Sequence, residues 1–491
     1  MKLSKTTFSE KWFYIFPLLV AIYPIIFLYS NNVQELLISQ VFVPVAIALI
    51  ATVIFWASLS FLIKDALKAG IITTIFILFF FFYGLFFDWL VLLNLFTVKH
   101  RHILPLVLFV AGYLGYFVYS IKNPELFING AKILTIIVAV LLLLNIINIV
   151  PIEIKKIEYA NLKPATSENY PAKNPSLTNS SRDYPDIYYI VLDEYASSST
   201  IKEIYGYDNY EFENHLRDQG FYIANNSKTY KAETLHAIAS NLNMEYINKS
   251  DTLTLFSKIN DNRVMQYLKR IGYTTVVFDG IKVGYVHKGN ITADFEFIFD
   301  EQIDSEMEKH SRKNAFDNLL IKGTMLKCFP SNSEDYRNLV RNRNLIAFEF
   351  EKLQSVNSTP SPKFVYFHIT SPHVPFVYDQ EGDFIDPQNQ QNWQDKKYYL
   401  GQYIYTTRQI EYSIDKILSN SKTPPIIIIQ SDHGPRNQYM DINMPGKIFN
   451  AFYVPNDTKM VLFDNISSVN TFRFIFNQTF HDDIELLAGV D

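Results

Sequence analysis

The sequence predicts a multi-helix transmembrane region followed by an α/β/α sandwich with a mostly parallel central sheet. Three observations predict it. Residues 12 to 151 are almost wholly apolar, while the remainder has the make-up of a water-soluble protein. Unbroken apolar runs in the second half, rich in β-branched and aromatic residues, read as strands buried on both faces. Helical segments alternate with those runs, the pattern of a parallel sheet covered by helices on both sides. The boundaries that follow are 1–151 for the membrane region, 152–184 for a linker and 185–491 for the sandwich.

Trp12 to Tyr29, Val41 to Ile63, Ile71 to Phe96, Ile103 to Ser120 and Ile133 to Val150 are each long and apolar enough to cross a bilayer, which takes about 20 residues. Lys2, Lys5 and Lys11 precede the first, but no small-residue cleavage site follows it, so it reads as a retained helix. The third is overlong and carries Asp88 near its end, at the expected height of the membrane interface. Five crossings place the termini on opposite sides. Lys2, Lys5, Lys11, Lys64, Lys68, Lys122 and Lys132 fall on the amino-terminal side, against Lys99, Arg101, Lys155 and Lys156 on the other. The positive-inside rule then puts the N-terminus in the cytoplasm and everything after Val150 outside it. A multi-pass membrane protein is expected, with its second half on the outer side of the membrane. Residues 157–184, run through with Asn, Pro, Ser and Lys and without a sustained period, form the linker.

In the second half, Asp186 to Leu192 is the first buried strand, and it ends at Asp193-Glu194. Thr200 to Tyr205 is helical, Tyr210 to Gln219 is an amphipathic helix closed by Gly220, and Phe221 to Ala224 is a short strand. Thr234 to Tyr246 is apolar at helical spacing. Arg263 to Ile271 is a helix, closed by Gly272, that leads into the strand Thr274 to Phe278. Lys363 to Ile369 is a strand ending at Thr370-Ser371-Pro372-His373. Gln402 to Leu418 is a long helix ahead of the strand Ile426 to Ile429, which runs into Gln430-Ser431-Asp432-His433-Gly434.

The formal charge of −5 gives no footprint for nucleic acid, and Cys328, the single cysteine, allows neither a disulfide framework nor a CxxC metal site. Chemistry concentrates instead at strand ends and helix starts. Open α/β folds place their sites at the carboxyl edge of the sheet. Asp432-His433 stands there, and Asp plus His is a usual first shell for a hard or borderline divalent ion. Asp193, Thr234 and His373 occupy comparable positions. Each has an ordinary structural alternative: Asp193 and Thr234 as helix caps, His373 as a surface loop residue. One shared site accounts for all four more economically.

Their order and local sequence resemble the alkaline phosphatase superfamily, and within it the membrane-anchored sulfatase-like transferases of the lipoteichoic acid synthase and phosphoethanolamine transferase group. The resemblance covers roughly residues 185 to 480. It implies an alkaline-phosphatase-like sandwich. It implies an acidic metal ligand at the end of Tyr189-Ile190-Val191-Leu192-Asp193-Glu194, with Asp193 first and Glu194 replacing or joining it. A nucleophile opens a helix in that group ahead of an Ala-Ser pair; Ala239-Ser240 here points to Thr234, which would also touch the metal. The Ser371 to Phe376 stretch, Ser-Pro-His-x-Pro-Phe, points to His373 as a substrate contact, and Asp432-His433 is the late metal pair. His373 and Arg436 would hold phosphoryl oxygens or protonate the leaving group.

The implied cofactor is one divalent ion, Mn, Mg or Zn. The implied partners are a membrane lipid donor and a cell-envelope glycan or lipid acceptor. Two departures qualify the resemblance. Thr234-Leu235-His236-Ala237-Ile238 lacks the C/S-x-P-x-R motif that formylglycine sulfatases require, which speaks against sulfate ester hydrolysis. No second set of His and Asp ligands is apparent, which favours a single metal. Lys282, Lys288 and Arg263 are candidate basic contacts to substrate, and relatives run on beyond the point near Leu487 where this chain stops. Three functions stay open: a transferase of phospholipid-derived head groups, a phosphate- or sulfate-ester hydrolase of the same fold, and a non-catalytic envelope assembly protein.

Overall fold

A computed structural model of the 491-residue chain describes residues 14–34, 36–93, 98–160, 184–248, 250–278, 293–297, 315–329, 332–356, 359–385, 396–436, 446–455 and 463–489. The chain divides into two compact units. The first holds residues 1–158 and 302–331, with a short piece at 283–285; the second holds the rest.

In the first unit, α1 (Phe16–Asn31), α2 (Ser39–Ile63), α3 (Ala66–Leu92), α4 (His100–Ser120) and α5 (Pro124–Ala160) follow one another. Helices α2 to α5 are long and apolar enough to cross a membrane; α1, at 16 described residues, is shorter. Their outward faces are rich in exposed Phe, Leu, Ile and Val, as lipid-facing surfaces are. Helix α5 continues past Pro151 to Ala160, so the start of the segment read as linker is helical. Helix α3 likewise continues through Asp88, whose carboxylate pairs with Lys327.

Lys327 belongs to a segment far along the chain. Within the first unit, α11 (Ala315–Gly323) and a 3₁₀ turn (Met325–Cys328) pack on the apolar helices. Phe316 is fully buried and meets the Tyr29 ring edge-on at 6.3 Å between centroids. The end of α11 lies against Gly84 of α3, where a Cβ would overlap the Lys322 carbonyl oxygen. Gly84 is therefore the residue that lets two backbones meet. We predict that Gly84→Ala loosens α11 at a cost of about 1–3 kcal/mol. Hydrogen exchange over residues 315–328 of the full chain should rise; exchange equal to wild type would contradict that contact.

The second unit is a layered sandwich. Its elements, in chain order, begin with β1 (Ile187–Leu192), α6 (Ser198–Tyr205), α7 (Tyr210–Asp218), β2 (Tyr222–Ile223) and α8 (Thr234–Asn243). Next come α9 (Thr252–Asn260), α10 (Arg263–Arg270), β3 (Thr274–Phe278) and β4 (Phe295–Phe297). Then follow α12 (Asn332–Ser355), β5 (Lys363–Ile369), α13 (Lys396–Asn420), β6 (Ile426–Ser431), β7 (Asn450–Tyr453) and α14 (Thr471–Phe480). The strand order is β2-β7-β6-β1-β5-β3-β4. From β6 to β4 every pairing is parallel, and β7 and β2 add an antiparallel edge.

Alternation along β1 explains why it sits at the centre. Tyr188, Ile190 and Leu192 pack into the layer with Phe350 and Leu353 of α12 and Ile410 and Ile414 of α13. Ile187, Tyr189 and Val191 pack into the opposite layer with α8, α9, α10 and α14. Both faces are dry, so the strand has no polar side to show. Helices α7 and α10 are each followed by a glycine in the left-handed region, Gly220 (φ 98°) and Gly272 (φ 97°).

Register then places the chemistry. Leu192 stands beside Ile369 of β5 and beside Ser431 of β6. The next residues, Asp193, Thr370 and Asp432, therefore leave three adjacent strands in one row at the carboxyl edge of the sheet.

Candidate active site

Asp193, Asp432 and His433 converge there, all buried, with one ligand atom from each lying within 4.8 Å of the others. Asp432 is held by its own loop. Its Oδ1 accepts the backbone N–H groups of Glu194 at 3.1 Å and His433 at 2.7 Å. Its Oδ2 is buried without a hydrogen-bond partner and lies 3.4 Å from His433 Nε2. The His433 ring turns Nδ1 to the Gly434 carbonyl at 2.8 Å. A ring nitrogen facing a carbonyl carries the proton, so Nε2 presents its lone pair. An orphaned carboxylate oxygen, a second carboxylate and an imidazole lone pair make a donor set that fits a divalent cation.

The charges support the same reading. Burial, and then the nearby Asp432 and Glu194 carboxylates, push Asp193 well above the usual carboxylate range. Burial acts on Asp432 too, but His433, His368 and the Glu194 backbone N–H outweigh it, and Asp432 falls. Two carboxylates this close share one charge between them; a cation allows both to ionise.

Thr234 is the first residue of α8, and its hydroxyl lies 3.2 Å from His433 Nε2 and 3.5 Å from Asp193 Oδ1. The helix cap is Glu233, which makes no side-chain cap bond. The hydroxyl thus faces the acidic cluster and does not cap the helix. Inside α8, Asn241 anchors the helix to the sheet by donating to Tyr189 Oη at 3.2 Å and to Gln430 Oε1 at 3.3 Å.

Helix α13 fixes the surrounding loops. Tyr399 donates to the Glu194 carbonyl at 2.8 Å and accepts the Ala196 N–H at 3.0 Å. Gln402 donates to the His373 carbonyl at 3.0 Å and accepts the Val377 N–H at 2.7 Å. His373 turns Nδ1 to the Val374 carbonyl at 2.6 Å, which leaves Nε2 free for other work. Its imidazole opposes the rise that burial imposes on Glu194. Arg436 donates from Nη2 to His433 Nε2 at 2.8 Å, with its Nε 3.8 Å from Glu194 Oε1.

Of the basic candidates, Arg263 pairs with Glu245 at 3.0 Å, and Lys282 and Lys288 lie outside the described residues. Two features carry no sequence signal of their own. Glu194 adopts a left-handed backbone, φ 60°, which only the fold reveals. His368 is buried on β5 with neither ring nitrogen hydrogen-bonded.

Burial lowers the His368 pKa from 6.5 to about 4, against the pull of Asp432. The unfolded chain therefore takes up this proton first as pH falls. Stability present above pH 6.5 should be lost progressively toward pH 4, by roughly 3 kcal/mol. The thermal midpoint of the full chain should drop through that window, and His368→Leu should flatten the drop. An unchanged slope in the variant would assign the acid sensitivity to other groups.

The family model for Sulfatase matches residues 185–456. No curated protein matches the chain by sequence. Among solved structures, the chain is similar to the C-terminal periplasmic domain of EptC from Escherichia coli in complex with Zn. The identity is 12%, covering 62% of this chain and 84% of that one, with a TM-score of 0.41. It is similar to the lipoteichoic acid synthase LtaP from Listeria monocytogenes at 13% identity, over 66% and 76% of the two chains, with a TM-score of 0.41. It is also similar to the C-terminal periplasmic domain of the phosphoethanolamine transferase EptC from Campylobacter jejuni. There the identity is 12%, over 62% and 91% of the chains, with a TM-score of 0.37. With more than half of its length matched by that family model, the chain belongs to the sulfatase family.

Proposed function

We propose that the protein is a membrane-anchored, metal-dependent transferase that moves a phospholipid-derived phosphoryl head group to a cell-envelope glycan or lipid through Thr234. The observation that carries this reading is the Thr234 hydroxyl at the start of α8, facing Asp193 and His433 beside the buried Asp432. Asp193, Asp432 and His433, together with the Thr234 oxygen, would hold one divalent ion, Mn, Mg or Zn. Such an ion, when bound, acidifies a coordinated hydroxyl and polarises a phosphoryl group.

The chain's own residues account for the remaining steps. Thr234 Oγ1 attacks the phosphorus of the donor, and its proton passes to Asp193 Oδ1, which faces it at 3.5 Å. The bond from phosphorus to the lipid oxygen breaks, and His373 Nε2 protonates that oxygen, releasing diacylglycerol. The first-turn N–H groups of α8 would face the transferred anion, and Arg436 adds a permanent positive charge. In the second half, an acceptor hydroxyl attacks phosphorus, gives its proton to His373 and displaces Thr234, which recovers its own from Asp193. If water replaces the acceptor, the same site is a hydrolase. The missing C/S-x-P-x-R motif speaks against sulfate esters as substrates, and the apolar helices, which would keep the site at lipid head groups, favour transfer to an acceptor.

This reading requires the second unit to lie outside the cytoplasm, in a bacterial envelope. A reporter that is active only after export, fused behind Asp491, should give signal. A reporter that works only in the cytoplasm, active at the same point, would reverse the orientation and remove the lipid donor with it.

A further inference from the structure

Arg436 occupies an unusual position. Its Nη2 donates at 2.8 Å to His433 Nε2, the one lone pair on that ring, since Nδ1 is committed to the Gly434 carbonyl. The same lone pair is the imidazole member of the Asp193, Asp432 and His433 donor set. A lone pair cannot accept a hydrogen bond and coordinate a cation at once. A guanidinium cannot resolve the conflict by shedding its proton, because it stays charged at any accessible pH. It has to move.

The structure also holds a place for it to go. Glu194 Oε1 lies 3.8 Å from Arg436 Nε, beyond hydrogen-bond length but within an ion pair. Glu194 is itself buried and sits at φ 60°, a left-handed conformation that a side chain of this kind seldom adopts. That backbone turn does two things. It directs the Glu194 N–H onto Asp432 Oδ1 at 3.1 Å, and it brings a carboxylate within ion-pair reach of the arginine. The Arg436 side chain is 45% exposed, so a rotation of its outer torsions meets little packing resistance.

We infer that Arg436 and a divalent cation take turns on His433 Nε2, and that Glu194 docks the guanidinium when the cation is bound. Arg436 is then a positioning residue whose placement depends on metal loading. Once docked on Glu194 it keeps N–H groups to offer to phosphoryl oxygens, so the anion-binding form of the site and its metal-loaded form arise together. The inference rests on the metal reading proposed above.

Metal affinity of the detergent-solubilised full chain tests it, by titration with Zn and with Mn against a competing fluorescent chelator. Arg436→Gln removes the competitor and should tighten binding by about tenfold or more. A general charge effect would also tighten binding, but salt would screen it, since the Debye length falls to about 3 Å at 1 M. Competition for a lone pair persists at that salt. A double-mutant cycle reads the dock: Glu194→Gln should weaken metal binding more when Arg436 is present than when it is Gln. Equal or weaker affinity in Arg436→Gln, or a gain that disappears at 1 M salt, overturns the alternation. Additive effects in the cycle remove Glu194 as the dock. If neither wild type nor Arg436→Gln binds either metal, the metal reading itself fails, a different result from binding that the substitution leaves unchanged.

Discussion

Thr234→Ala is expected to abolish turnover while leaving the protein folded and inserted. The hydroxyl at the start of α8 faces the acidic cluster, at 3.5 Å from Asp193 and 3.2 Å from His433. A lost attacking group costs orders of magnitude in rate, here at least about 10³-fold in kcat. Stability should barely change. The cap position belongs to Glu233, so the substitution removes no cap bond and forfeits less than the ~1 kcal/mol that a true cap supplies. Thr234→Ser keeps the attacking oxygen and should retain part of the activity.

Two substrates check this: a phospholipid donor in mixed micelles, and a soluble nitrophenyl phosphodiester. Mass spectrometry of the protein from its host should find an adduct on the peptide carrying Thr234, and its mass would name the transferred group. Wild-type turnover in Thr234→Ala would rule out the covalent mechanism. Loss of turnover together with a lowered thermal midpoint would point to a structural role for the hydroxyl.

The second large effect is expected at Asp432. Oδ1 already serves two backbone N–H groups, so Oδ2 is the atom available to a cation. In Asp432→Asn the amide oxygen can keep both backbone bonds and hold the loop. The NH₂ then stands where Oδ2 stood and turns donor hydrogens toward the site. Divalent ion affinity of the full chain should fall about 100-fold or more, with activity falling in parallel. Elemental analysis after dialysis reads the first, and a thermal melt verifies the fold. Unchanged metal stoichiometry in a folded Asp432→Asn protein would remove Asp432 from the ligand set.

Much of this site was legible before any coordinates, for a simple reason. A strand buried on both faces must be apolar throughout, so Ile187–Leu192, Lys363–Ile369 and Ile426–Ser431 announce themselves, and the polar residues that end them stand out. Short or partnered elements are harder to see. Strand β7, four residues at the antiparallel edge, carries no run long enough to read, and its existence depends on pairing with β6. Helix α12 has too many charged residues to reveal the stripe through Phe350 and Leu353. Helix α13 begins at Lys396, earlier than its apolar spacing indicates, and so Tyr399, which ties down Glu194, escapes a sequence reading.

The sequence by itself determined the sequence of layers: apolar helices first, then alternating strands and helices with Asp193, Thr234, His373 and Asp432-His433 at their ends. Periodicity and hydrophobicity are local properties, and local properties suffice for that. The tertiary structure alone decided which residues meet. Equal register on β1, β5 and β6 put Asp193 and Asp432 in one row, and α8 brought the Thr234 hydroxyl to them from 41 residues beyond Asp193. It also set Glu194 in a left-handed turn, laid Arg436 on His433, left His368 buried without a partner, and returned α11 to Gly84 among the apolar helices. Each of these depends on contacts between distant parts of the chain, whose free energy has no counterpart in any single window of sequence.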